Sequence, residues 1–297
     1  MKKVLSVLVV LLLSMAILPM SKSTQAVSES EDTIIIYGAS LTDEQKEQVR
    51  KSLNITDRDA IREYIVTGED YARYIDGNPS SNMFSSAKIE IQEPNKGLSI
   101  HIVTPENITQ VTSDMYANAL LTAGVDSATV EIASPVQVTG HSALTGIYKA
   151  YDEDGEELDK DRMELANEEL NVATDLADKE GLSQEKVSEL LTEIKKEIAD
   201  QKPATKEDVE RIVKEQLDNL KIELNDADRE MLINLFEKMR DLNIDFSKVK
   251  KELEDIASTI QDKLDDLGLD AGFWEKVANF FKELFQAIGN FFKGLFD

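Results

Sequence analysis

DMYANALLTAGVDSATVEIASPVQVTGHSALTGIYKAY, residues 114–151, decides the fold of this chain. Met115, Ala119, Leu120 and Ala123 recur at helical spacing, and Gly124 supplies the stop that ends such a helix. Val130, Ile132 and Val136 then lie two or four apart, as one face of a strand requires. Leu144, Ile147, Tyr148 and Tyr151 form a second apolar helical face. Small residues dominate the stretch and let backbones approach closely. It reads as helix, turn, strand, loop, helix, and it is where the densest core is expected.

Working toward the N-terminus, residues 98–103 and 87–92 alternate as strands, and Glu93-Pro94-Asn95-Lys96-Gly97 between them predicts a five-residue hairpin. Asp76-Gly77-Asn78-Pro79 is a loop. Residues 61–66 (IREYIV) alternate, and residues 33–37 (TIIIY) form a short apolar strand. After that strand Thr42 opens a helix with Gln45 in capping-box position. Strands interleaved with helices, with a hairpin interrupting the alternation, predict an α/β or α+β domain over residues 27–152 with a mixed sheet.

Toward the C-terminus the texture changes. Glycine becomes rare and acids dominate. Ser183, Thr205 with Asp208, Asn225 or Asp226, and Ser247 each precede an apolar helical stripe, the last of them stopped by Gly268. Residues 153–268 are therefore expected to form an acidic all-helical region of antiparallel neighbours. Residues 269–297 stand apart, because seven of the ten Phe and the only Trp lie there. On a helix, Trp274, Phe281, Phe285 and Phe292 fall on or beside one apolar side. That side can dock on the protein's own helices, on a partner protein, or on a lipid surface.

Composition excludes several chemistries. The chain of 297 residues has no Cys, so thiol catalysis, zinc–thiolate sites and iron–sulfur clusters are impossible. Formal net charge is −25, which repels phosphate backbones and argues against nucleic-acid partners. Residues 1–26 have the pattern of a secretory signal: Lys2 and Lys3, an apolar run broken by Ser6 and Ser14, Pro19, and a small residue at Ala26. The expected location is extracellular or cell-surface. An exported chain without disulfides fits a bacterium that does not crosslink its secreted proteins.

Candidate chemistry is sparse. Gly140-His141-Ser142 resembles the start of a hydrolase nucleophile elbow, but the position that needs Gly is Leu144. Ser142 and His141 remain the only catalytic candidates, and Ser142 or Thr139 is expected to cap the helix that follows. The two histidines, His101 and His141, lack spaced carboxylates to complete a metal site. Asp152, Asp154 and Asp161 sit in a loop resembling a calcium site whose first ligand is missing, so calcium is the one cofactor considered. Gly38-Ala39-Ser40 has a single Gly and makes no phosphate cradle.

YGASLTDEQK (residues 37–46), SSAKIE (85–90), VTSDMYANALLTAGV (111–125), PVQVTGHSALTGIYKAY (135–151) and NEELNVATDLA (167–177) together resemble the bacterial secreted proteins grouped as domain of unknown function 1002. The resemblance runs from residue 33 to the helices near residue 200. It implies an exported protein without an assigned reaction, and it carries over no catalytic residues. The Phe-rich tail lies outside the matching motifs. The functional expectation is a secreted, non-enzymatic binding protein whose tail meets a protein or lipid surface. The alternative is an extracellular hydrolase working through Ser142 and His141.

Overall fold

The computed structural model describes residues 33–56, 61–94, 96–179 and 182–267. The N-terminal signal-like segment and the Phe-rich tail, with Trp274, Phe281, Phe285 and Phe292, lie outside the described residues. Five strands form one sheet: β1 (Thr33–Gly38), β2 (Ile61–Val66), β3 (Ser86–Ile91), β4 (Leu98–Ile102) and β5 (Ala128–Ala133), in the order β2-β1-β3-β5-β4. β1 and β2 are parallel, as are β4 and β5, while β1–β3 and β3–β5 are antiparallel. The sheet is mixed, as the sequence predicts.

The predicted hairpin is not formed. β3 and β4 share no ladder, because β5 lies between them. The burial patterns explain why. β5 reads ATVEIA: Ala128, Val130 and Ile132 fill the core face and are fully buried, while Thr129 and Glu131 on the other face are half-buried, the profile of a strand with a neighbour on each side. β4 leaves Ser99 and His101 exposed, so it suits an edge. Val136, assigned from spacing to the same strand as Val130, falls beyond the end of β5.

The helices among the described residues are α1 (Asp43–Ser52), α2 (Gly68–Ile75), α3 (Ser113–Ala123), α4 (Ser142–Asp154), α5 (Lys160–Ala177), α6 (Gln184–Gln201), α7 (Lys206–Asn219), α8 (Asp226–Asp241) and α9 (Lys250–Asp266). Their ends follow local chemistry. The Thr42 hydroxyl accepts from Gln45 N, and the Gln45 side chain accepts from Thr42 N, closing the expected capping box. Ser183, Thr205 and Asn225 cap α6, α7 and α8. Gly124 ends α3 with φ +100°, a value L side chains rarely adopt. Two caps differ from expectation. α9 opens at Lys250 after a 3-10 turn at Phe246–Val249, so Ser247 does not start it; Asp245 accepts from Ser247 N there. His141, rather than Ser142 or Thr139, occupies the N-cap of α4, and it makes no side-chain cap bond. No helix among the described residues is long and apolar enough to cross a membrane.

One sheet face carries Ile34, Ile36, Ile89, Val130 and Ile132 into a buried cluster that continues through α3 to α9 as far as Leu264. The composition change near residue 152 falls within α4 and does not interrupt it. The opposite face is covered only in part: Ile35, Tyr37 and Ala133 meet Val49 of α1 and Leu53 at its C-cap. Beyond that patch the face is polar, with Lys88 2.9 Å from Glu131 across neighbouring strands.

At the centre of the helical layer lies an ion pair withdrawn from water. Lys195 of α6 is 0% exposed and Glu169 of α5 is 1% exposed. The ammonium donates to Glu169 Oε1 at 2.5 Å and to the Asn118 carbonyl of α3 at 2.7 Å. Thr122 of α3 donates to Glu169 Oε2 at 2.6 Å. Burial pulls the Lys195 pKa down, and the Glu169 carboxylate works against that fall. Asn118 also donates to Thr192 at 2.9 Å. Removing one member strands a desolvated charge, so Glu169→Ala is expected to destabilise the fold by about 3–5 kcal/mol. The pair Glu169→Leu with Lys195→Met should cost less than the sum of the two single changes. Urea unfolding midpoints of the three variants measure this; strict additivity would show the charges to be uncoupled.

Candidate functional site

The two catalytic candidates from the sequence share one cleft. Ser142 and His141 begin α4 and line a cavity of about 270 Å³, facing Tyr71 of α2 and the segment around Met83. The hydrogen bonds define what His141 can do. The Thr174 hydroxyl donates within its own helix, to the carbonyls of Leu170 at 3.1 Å and Asn171 at 3.0 Å. It therefore accepts from His141 Nε2, which lies 3.2 Å away. That assigns the proton of the neutral ring to Nε2 and leaves Nδ1 as the acceptor. Nδ1 is 3.1 Å from the Thr139 hydroxyl, which donates to it. The lone pair a general base needs is thus directed at Thr139 and not at Ser142. The Ser142 hydroxyl donates to Ser85 Oγ at 3.2 Å. The two residues are neighbours in one cleft without the base–nucleophile hydrogen bond that acyl transfer uses.

Gly140 has a different use from the one its motif suggests. Its carbonyl accepts from the buried Tyr116 hydroxyl at 2.6 Å, and a Cβ at this position would stand 2.7 Å from that oxygen. The glycine lets the loop close on α3. Ser40, in the single-glycine turn after β1, is likewise structural: its amide donates to the Met83 carbonyl and its hydroxyl accepts from Met83 N, each at 3.0 Å.

His101 is elsewhere. It lies on β4, 3.0 Å from Ser99, and lines a separate cleft of about 420 Å³ at that edge of the sheet with Asp114 and Glu252. The acidic loop residues also go separate ways. Asp152 accepts from the Tyr74 hydroxyl at 2.7 Å and pairs with Arg73 at 3.1 Å. Asp154 pairs with Arg62, and Asp161 is exposed in the first turn of α5. Among the described residues no group of three or more His, Asp or Glu is placed to hold a metal ion.

Sequence reasoning passed over the residues with the most unusual environments. Lys195 falls four after Leu191 and three before Ile198, on the buried stripe of α6, where a lysine needs a partner. Glu169 occupies the matching position on α5, a helix the sequence reading did not single out. Glu252 lies next to Leu253 in the first turn of α9 and gives no local sign of burial.

Desolvation lowers the His141 pKa below its ordinary value, and Asp175 opposes it only in part. The unfolded chain then binds this proton more readily than the folded one. Stability from the neutral ring is complete above about pH 6.5 and is lost as the pH falls below that toward the folded value. Wild type is expected to lose more stability than His141→Asn between pH 7 and pH 5. Thermal melts of both across that range provide the measurement; parallel losses would show that the ring titrates normally.

A family model described as "Protein of unknown function (DUF1002)" matches residues 37–256. The "Uncharacterized protein YpuA" of Bacillus subtilis (strain 168) is 33% identical over 268 residues, which is 88% of this chain and 90% of that protein. No solved structure matches. Extent of match and identity together show that the chain belongs to the DUF1002 family.

Proposed function

We propose that this is a secreted, non-enzymatic binding protein that acts outside the cell or at its envelope, with its Phe-rich tail as the anchor. The observation that carries the reading is the engagement of His141. Both ring nitrogens are used by threonines, so the one pair resembling a catalytic dyad serves to fix the start of α4. The signal pattern at residues 1–26 supports export. Acid-rich helices and a net charge of −25 favour cationic or neutral partners over anionic polymers.

The anchor follows from the size of the aromatic side chains. Leu267, the last described residue, is 59% exposed and leads into the tail. Burying Trp274, Phe281, Phe285 and Phe292 is worth about 1.5–3 kcal/mol for each side chain, set against the cost of association. That balance gives reversible attachment to a protein or lipid surface.

Flotation with phosphatidylcholine vesicles and capture from a cell-envelope extract test the anchor, using the mature chain and a version ending at Asp270. Each is run with and without calcium. The mature chain is expected to float or to retain envelope partners, and the shortened chain to lose at least tenfold in one of the two assays. Equal behaviour of the two proteins in both assays removes the tail from the function.

A further inference from the structure

We propose that the free edge of β4 is a strand-addition site for an extended peptide segment carrying lysine or arginine. The inference rests on the binding-protein reading and names a site and a ligand class for it.

The backbone provides the first half of the argument. β4 ends the sheet, and its inner side pairs with β5. Ala128 N donates to the Gly97 carbonyl at 3.2 Å, and Val103 N donates to the Ile132 carbonyl at 2.9 Å. The odd-numbered residues of β4 therefore face β5. By alternation, the N–H and C=O groups of Leu98, Ile100 and Ile102 point away from the sheet, where no described strand meets them. A row of unpaired backbone donors and acceptors is a template for one more strand.

The second half is the wall opposite. The cleft of about 420 Å³ beside β4 is closed on its far side by α9 and the start of α3. That volume falls in the range of real ligand sites. Between a strand edge and two helices, a cleft of that size suits a single extended segment. Glu252 of α9 lines the cleft, is 9% exposed and has no hydrogen-bond or ion-pair partner among the described residues. Its place in the first turn of α9 lets the helix dipole tolerate the charge without a counterion. A carboxylate so placed accepts a cationic side chain from the incoming strand. Asp255 stands exposed beside it, and Asp114 is already held by Lys263 at 2.6 Å. Lys96 and Lys251 are exposed at the rim. The opposite sheet edge is guarded: β2 carries the Arg62–Asp154 and Arg50–Glu63 ion pairs.

The probe is a panel of end-capped, fluorescein-labelled pentapeptides with Lys at the centre and Val, Ile, Thr, Phe or Tyr at the other four positions. Binding is read by fluorescence anisotropy on the full mature chain. The best Lys peptide is expected to bind at least tenfold more tightly than its Gln counterpart. Glu252→Gln, an isosteric change whose folding is checked by its urea midpoint, should erase that tenfold preference. N-methylation of alternate peptide amides should abolish binding to wild type, an arm that needs no protein variant. No binding by any member of the panel overturns the site, as does an undiminished preference in Glu252→Gln or full binding of the methylated peptide. Tail-dependent capture persisting alongside such a failure would leave the binding-protein reading standing and remove this edge from it.

Discussion

The buried Glu169–Lys195 pair is the constraint on which the helical half depends. Two opposite charges with almost no exposure are costly to desolvate, and they persist because each has further hydrogen bonds. Those bonds come from α3, while the charges come from α5 and α6. A slip of any one of the three helices by a single turn would leave an ion facing apolar side chains. Aliphatic residues of the surrounding cluster, such as Leu120, Leu170 and Leu191, tolerate small rearrangements; the ion pair does not. The polar centre therefore sets the relative position of the helices, and the surrounding apolar cluster supplies the bulk of the driving force.

The same helices fix the sheet. α3 and α4 bury the face that carries Ile36, Val130 and Ile132, and the Arg162 guanidinium of α5 donates to the carbonyls of Leu121 at 3.1 Å and Thr122 at 2.7 Å, at the end of α3. The acidic helices and the sheet thus share one interior. The surface left over is uneven. One sheet face is half covered by α1 and otherwise polar, and one edge opens into a cleft walled by α9.

Much of this architecture was legible in the residues. Capping boxes at Thr42 and Thr205 and the stop at Gly124 depend on atoms three or four residues apart, so a local reading finds them. The strand positions were legible for the same reason, because alternation is local. The pairing was not: whether residues 87–92 meet residues 98–103 depends on β5, some thirty residues on, which takes the place between them. α5 escaped notice because its inner face is built from Ala166, Ala173 and Glu169 as much as from Leu170 and Leu176. The site was less legible still. His141 and Ser142 could be named from the motif, but the ring's tautomer follows from Thr174, on another helix. Glu252 became visible only once α9 was seen beside β4.

The insertion of β5 between β3 and β4 also governs the order in which the chain can assemble. A hairpin of β3 and β4 would be the quickest product of the first hundred residues, since its loop is short, yet it occupies the slot β5 must take. Productive assembly requires the two strands to stay apart until α3 and β5 arrive. The polar Ser99 and His101 weaken a premature pairing, while β5 displaces it through the core face of Ala128, Val130 and Ile132 that it buries. The last strand made is thus the one that locks the sheet, and until then the nascent chain carries two unprotected edges where the finished molecule has a sealed centre.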